Sequence, residues 1–257
     1  EELDLTANTQ PAIFLISYSI FKVMKQEFNL DLNKAKYFAG HSLGEYSALA
    51  CAEYLNFSDT INILQKRGTA MQNAMPKGEG GMVAVLGSTV EMIEKILKDN
   101  KNNFDVQIAN DNSDGQLVLS GKNNDLINLI EFLKSKSIKN IKLPVSAPFH
   151  CKLMSKATEI MKTEIKKANF QEGKNLLISN VTASEVLNKE DLKNLLIQQI
   201  ENRVRWKESI ENMIDKSVDH FIEIGPGKVL SGLIKRINKN VKINAINSDS
   251  DIKEIKL

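Results

Sequence analysis

The sequence predicts an α/β fold in two parts, a large domain with a mostly parallel sheet and a smaller domain inserted into it. Three observations carry this. Residues 37–54 read as a buried strand end, a glycine-bounded turn and a helix in direct succession. The glycine-rich break Gly78-Glu79-Gly80-Gly81 opens a different pattern, β-α-β-β-α-β, which lasts to about residue 145. Helix and buried strand then alternate to the end of the chain, the order in which parallel sheets are built.

Each element has a local reason. Asn8 or Thr9 caps a helix with Pro11 in its first turn, running to about residue 28. Tyr37-Phe38-Ala39 ends a strand, and residues 44–54 have helical spacing. Ser58 caps a helix over 59–75 that carries Arg67 and Met71. After the break, residues 82–86 form a strand, and Ser88-x-x-Glu91 is a capping-box signal for a helix over 90–99. Strands over 104–109 and 116–120 flank the turn-rich Asn110-Asp111-Asn112-Ser113-Asp114-Gly115. A helix over 124–137 and a strand over 138–143 complete a split-βαβ, ferredoxin-like order. Residues 79–145 are therefore the insert, and 1–78 with 146–257 the large domain. In the latter, helices are expected over 151–168, 190–200, 206–216 and 229–237, with strands over 176–179, 218–224 and 241–245. An elbow strand normally lies inside a parallel sheet, so a further strand is expected ahead of the first helix, from N-terminal sequence beyond these residues.

Composition excludes several classes of function. The chain has 257 residues, 42% of them hydrophobic and 26% charged, as in soluble globular proteins. Its 34 basic and 32 acidic residues give a net charge of +2, too balanced for electrostatic binding to nucleic acid. The longest apolar stretch, residues 11–21, is too short to span a bilayer and contains Ser17, Tyr18 and Ser19. No secretory leader pattern precedes it, and the two cysteines, Cys51 and Cys151, form neither a disulfide framework nor a metal-ligand pattern. A reducing cytoplasm is the expected compartment, and no metal is expected.

Chemistry concentrates in Gly40-His41-Ser42-Leu43-Gly44. Gly-x-Ser-x-Gly between strand and helix presents a serine on a sharp elbow, with Gly40 and Gly44 leaving room for strand and helix to meet. The helix N-terminus behind Ser42 aims free N–H groups at a developing oxyanion, Leu43 supplying one of them. A serine nucleophile needs a base, and there are three histidines. His41 adjoins Ser42 on the turn and points elsewhere, while His220 sits in an apolar strand. His150 lies in the proline-pinned Pro144-Val145-Ser146-Ala147-Pro148-Phe149-His150-Cys151, where the insert returns to the large domain, and is the favoured base. An acid among Asp59, Asp105, Asp111 and Asp114, or a backbone carbonyl, could orient its ring. Arg67 precedes Gly68, an unusual helix-interior residue that signals close approach of a backbone or ligand. A guanidinium there would hold a substrate carboxylate. The cysteines read as small buried residues. Gly225-Pro226-Gly227-Lys228 lacks phosphate-loop spacing and reads as a strand-to-helix turn, with Lys228 a candidate for facing an anionic ligand.

Together these motifs resemble the malonyl-CoA:acyl carrier protein transacylases of fatty acid synthesis. The resemblance rests on Thr9-Gln10-Pro11-Ala12, on residues 40–48, on Arg67-Gly68-x-x-Met71-Gln72, on Asn110 with Gly115-Gln116, on Pro148-x-His150, and on Glu223-x-Gly225-Pro226-Gly227-Lys228-Val229-Leu230. These occur in family order over nearly the whole chain. The resemblance implies a hydrolase-like large domain, a malonyl ester on Ser42, and His150 as base, oriented by a main-chain carbonyl near Gln199. It implies substrate contacts for Arg67, as the carboxylate clamp, and for His41, Met71, Asn110 and Phe149, the last a cue for malonyl selectivity. Leu43 would give half of the oxyanion hole; the family's other half, a Gly-Gln-Gly segment, is not in this sequence. The partners implied are malonyl-CoA, as substrate, and acyl carrier protein, with Lys136, Lys139, Lys142, Lys152 and Lys156 as a candidate docking rim. No cofactor and a monomeric state are expected. The alternatives are a polyketide-synthase acyltransferase acting in trans, a serine esterase or thioesterase, and a module that binds carrier protein without catalysis.

Overall fold

Periodicity decides the first long element. Phe14, Ser17, Phe21 and Met24 recur at helical spacing, and all are buried on one face of α1 (Thr6–Gln26). The helix begins ahead of the expected caps. Its N-cap is Leu5, with no side-chain cap, and Thr9 bonds back to the carbonyls of Leu3 and Leu5 from within the helix. The structure is a computed structural model that describes residues 2–145 and 147–255. The expected domain limits at residues 1, 146 and 257 lie outside the described residues.

The chain then runs through β1 (Tyr37–Phe38), the elbow, α2 (Leu43–Cys51) and α3 (Phe57–Asn73). Asn56, not Ser58, caps α3, its side chain accepting from the Asp59 N–H. Next come β2 (Gly80–Leu86), α4 (Val90–Asp99), β3 (Val106–Ser113), β4 (Gln116–Lys122), α5 (Asn123–Ser135) and β5 (Lys139–Lys142). Thr89, one residue after the expected Ser88, caps α4. The second large segment supplies α6 (Ser155–Lys167), β6 (Leu176–Ile178), β7 (Glu185–Val186), α7 (Lys189–Gln199), β8 (Val204–Arg205) and α8 (Trp206–Asp215). It ends with β9 (His220–Ile224), α9 (Val229–Ile237), β10 (Lys242–Ile246) and α10 (Asp249–Glu254).

Strands β5, β2, β4 and β3 pair in that order, every neighbour antiparallel, and β8 adds a fifth strand parallel to β3. That sheet therefore reaches beyond residues 79–145. The cause lies in β3, which does not turn at Asn110 but continues to Ser113, leaving Asp114 and Gly115 as the turn. Asn110, Asp111, Asn112 and Ser113 are buried there, and their backbone groups need partners. Asn110 and Asp111 find theirs opposite Val204 and Arg205.

The large domain was expected to hold one mostly parallel sheet. It has two pieces instead: β1, β6 and β7, with β1 parallel to β6 and β7 antiparallel, and the parallel pair β9 and β10. Between the pieces lies an apolar cleft of about 430 Å³, with residues 37–40 on one wall and 221–225 on the other. Ile13 and Phe21 of α1 and Ile210 and Met213 of α8 also line it.

The main core joins Phe14, Tyr46, Leu64, Met161, Leu177 and Leu196; a second, with Val83, Ile93, Leu119 and Leu129, lies under α4 and α5. Phe149 packs against the main core and against Met82, Ala109 and Val118 on the other face of the five-stranded sheet. The segment that carries His150 is thus pinned between the two. Among the described residues no helix is long and apolar enough to cross a membrane.

Candidate active site

The elbow forms because two positions tolerate what the turn demands. A Cβ on Gly40 would lie 2.0 Å from the carbonyl of Gly44, so only glycine lets strand and helix meet there. Gly44 has open space around it, so the close approach requires one glycine of the pair and not both. Ser42 takes φ 53° and ψ −108°, a costly conformation for a non-glycine residue. Asn180, just beyond β6, braces it. Its Nδ2 donates to the Gly40 carbonyl at 2.7 Å, and its Oδ1 accepts from the Ser42 N–H at 2.7 Å.

His150 also has positive φ, 58°, and is buried beneath the elbow. Its Nε2 lies 2.8 Å from Ser42 Oγ and its Nδ1 2.8 Å from the Gln199 carbonyl. A carbonyl only accepts, so the proton sits on Nδ1, and Nε2 is left to take the serine's proton. Of the two kinds of orienting group open to the sequence, the structure places a carbonyl here. Asp59 serves the start of α3, and Asp114 pairs with Lys207. Burial, then the neighbouring Arg67 charge, push the His150 pKa down to about 3, against the opposing pull of the Gln199 carbonyl.

Arg67 is not a solvated helix charge; it is 1% exposed. Its Nη1 donates to Gln10 Oε1 at 2.6 Å, and its Nη2 to Ser42 Oγ at 3.0 Å and to Gln199 Oε1 at 2.8 Å. Its guanidinium lies over the Tyr46 ring, 5.4 Å from the centroid. Burial lowers its pKa, opposed by Tyr46 and Glu45. Gly68 explains the approach: a Cβ there would sit 2.5 Å from the Thr6 carbonyl, so the neighbour predicted by this glycine is the backbone of α1. That contact brings Gln10 to Arg67. Met71 is buried beside Gln10, whose Nε2 donates to its Sδ at 3.8 Å.

The other expected residues are distributed around this centre. Leu43 is the first residue of α2, so its N–H has no earlier helical carbonyl to bond. The His41 ring turns away from Ser42, to Asn112 Oδ1 at 2.8 Å and to the Trp206 ring at 5.8 Å between centroids; burial lowers its pKa. Asn110 is buried in β3, and the half-buried Phe149 accepts from Ser120 Oγ through its carbonyl at 2.6 Å. Cys151 is buried and donates to the Pro148 carbonyl at 3.1 Å, whereas Cys51, expected to be buried, is half-buried; desolvation pushes their thiols up to about 11 and about 12, which disfavours the thiolate. His220 bonds Asn244 across β9 and β10. At the Gly225-Pro226-Gly227 turn, the Glu223 carboxylate accepts from Leu230 N and Ser231 N at 3.0 and 2.7 Å, so a carboxylate already serves the start of α9. Lys228 and the five rim lysines are exposed, and of these Lys152 lines a cavity of about 480 Å³ beside His150, with Gln107, Asn202 and Arg203. Among the described residues no cluster of His, Cys, Asp or Glu could hold a metal ion.

Sequence reasoning gave no role to Gln10, Glu45 or Asn180. Gln10 and Glu45 stand within recognised motifs, and a charged residue in the buried stretch 45–50 is a signal. Nothing near Asn180 marks it. The assembly is a serine with a base at its oxygen, a carbonyl behind the base and a buried cation beside both. It suits acyl transfer from a substrate with an anionic end.

Comparison with known proteins agrees. The acyl transferase domain model matches residues 1–253. The malonyl CoA-acyl carrier protein transacylase of Bacillus subtilis strain 168 is 40% identical over 255 residues, 98% of this chain and 79% of that protein. The acyl-carrier-protein-S-malonyltransferase of Bartonella henselae has a crystal structure similar to this one, with a TM-score of 0.95 at 40% identity over 98% of this chain and 81% of that one. A malonyl-transacylase solved with its type II PKS acyl-carrier protein gives a TM-score of 0.92 at 34% identity, over 98% and 81% of the two chains. A match from residue 1 to 253, with an elbow serine against a carbonyl-oriented histidine, makes this chain a member of the acyl transferase domain family.

Proposed function

We propose that the protein transfers the malonyl group of malonyl-CoA to the phosphopantetheine thiol of acyl carrier protein, through a malonyl ester on Ser42, to supply fatty acid synthesis. The observation that carries this reading is the buried Arg67 guanidinium 3.0 Å from Ser42 Oγ. Few acyl groups would need a cation there; a malonyl group, with its free carboxylate, does.

In the first half-reaction Ser42 Oγ attacks the thioester carbon as its proton passes to His150 Nε2. The oxyanion lies toward the Leu43 N–H. Collapse breaks the C–S bond, and His150 returns the proton to the departing CoA sulfur. In the second, the carrier thiol gives its proton to His150 and attacks the ester, and Ser42 Oγ leaves with that proton. Both half-reactions exchange acyl groups without a cofactor. Arg67 would turn from Ser42 Oγ to the substrate carboxylate, holding the ester where a thiol, and not water, completes the transfer.

The polyketide reading stays the runner-up on one observation, the similarity to a malonyl-transacylase solved with a type II PKS carrier. An esterase would share the elbow, yet the buried cation gives it no advantage. We read the insert as ferredoxin-like, from its antiparallel order β5-β2-β4-β3, and the rest, as residues 1–78 and 146–257, as a hydrolase-like domain. The apolar cleft lies between β1 and β9, each of which, among the described residues, is hydrogen-bonded to a strand on its other side only. The same reading makes the protein a cytoplasmic monomer that binds neither nucleic acid nor membrane.

Steady-state rates with both substrates varied test the mechanism. A covalent intermediate gives parallel double-reciprocal lines, and Ser42→Ala removes the rate. Intersecting lines would contradict it.

A further inference from the structure

Glu45 is a carboxyl group with no accessible surface, in the first turn of α2. A buried carboxyl is costly without partners, and the proposed reaction gives this one no step. Its Oε2 accepts from Gln199 Nε2 at 2.6 Å and from the Asn180 N–H at 3.3 Å, while its Oε1 has no hydrogen-bond partner among the described residues.

Gln199 connects it to everything reactive. The same Nε2 donates to the Ser42 carbonyl at 3.0 Å, Oε1 accepts from Arg67 Nη2 at 2.8 Å, and the main-chain oxygen accepts from His150 Nδ1 at 2.8 Å. Gln199 is the last residue of α7, so its carbonyl has no helical partner and its direction depends on how the helix end is held. A guanidinium only donates, and Glu45 Oε2 accepts. An amide between them has one permitted orientation, since a flip would set its NH2 against Arg67 and its oxygen against Glu45.

We propose that Glu45 is a positioning residue: through the Gln199 side chain it fixes the carbonyl that orients His150 and the amide oxygen that faces Arg67. What matters is an acceptor oxygen at Oε2. A proton carried on the partnerless Oε1 leaves that acceptor intact, which fits a Glu45 pKa raised by burial to about 7. The Ser–His pair thus has its acid one residue removed, acting through an amide rather than on the imidazole. This rests on Ser42 and His150 being nucleophile and base.

The test is the second-order rate of Ser42 labelling by a fluorophosphonate, which needs the serine and its base but no malonyl carboxylate. Thermal melts establish that each variant is folded. Glu45→Leu removes the acceptor and should slow labelling at least about tenfold, a part of the ~10²–10⁴ that base catalysis contributes. Glu45→Gln keeps an oxygen at the same place and should restore the rate to within about threefold, well inside that range. Gln199→Met keeps the main-chain carbonyl and deletes the bridge, and should slow labelling as Glu45→Leu does, which decides the matter if the latter does not fold. A folded Glu45→Leu or Gln199→Met that labels at the unsubstituted rate overturns the proposal, as does Glu45→Gln as slow as Glu45→Leu. No labelling of the unsubstituted protein overturns the Ser42–His150 reading and this proposal with it.

Discussion

Arg67 holds its charge one hydrogen bond from the nucleophile. Charge-assisted hydrogen bonds of this kind contribute about 1.5–3 kcal/mol, so Arg67→Ala should cut malonyl transfer by roughly 10- to 150-fold. Transfer of an uncharged acetyl group, measured alongside, should fall far less; equal losses would remove the clamp. His150 and Glu45 leave opposite marks on stability. His150, ordinarily 6.5, falls to about 3 when folded, so the unfolded chain takes up a proton that the fold excludes. Stability therefore rises with pH across that interval. Glu45, ordinarily 4.5, rises to about 7, so the fold keeps a proton the unfolded chain has released, and stability falls as pH rises between those values. The two oppose each other between 4.5 and 6.5. Glu45→Gln should therefore steepen the gain in urea stability over that range, and an unchanged slope would contradict the Glu45 assignment. At this scale the sequence revealed the serine, its histidine and the arginine, because each has a side chain type tied to its chemistry. Gln199 was legible only through the resemblance, since any residue's carbonyl could orient a histidine.

The packing of α1 on α3 positions Arg67. Gly68 lets the Thr6 carbonyl come close enough for Gln10 to reach Arg67. Gly68→Ala should gain about 1 kcal/mol of helix propensity. It should lose about 1–3 kcal/mol to overpacking, because the opposing atoms are backbone and cannot rotate away. The expected result is a lower melting temperature together with weaker malonyl selectivity; a more stable protein would contradict the close approach. Long periodic helices were legible to within a few residues, and α9 over its full length. Among the short strands, β1 and β6 were legible at 37–39 and 176–179, whereas β7 and β8, two residues each, were too brief to register. β3 misled the reading because Asn110 to Ser113 have turn propensity, and burial against β4 and β8 overrode it.

Across the whole molecule, β3 supplies both His41's partner Asn112 and the pairing with β8, while the segment that follows β5 carries His150. The site is a product of both parts, so the sheet shared through β8 matters more than either boundary. The split of the large-domain sheet around an apolar cleft was not legible, since hydrogen bonding between distant strands leaves no local pattern. Net charge is small, so attraction for an acidic carrier would come from local clusters. Reversing the exposed Lys136, Lys139 and Lys142 should raise KM for the carrier and leave that for malonyl-CoA unchanged; the reverse pattern would count against this rim. The proposed transfer depends on a malonyl ester on Ser42 that prefers thiol to water. Intact mass of the protein after mixing with malonyl-CoA, and again after adding carrier with a free phosphopantetheine thiol, tests it most directly. The expected result is a malonyl adduct on Ser42 that persists alone and then moves to the carrier. An adduct lost to water as fast as to the thiol, or one on another residue, would contradict it.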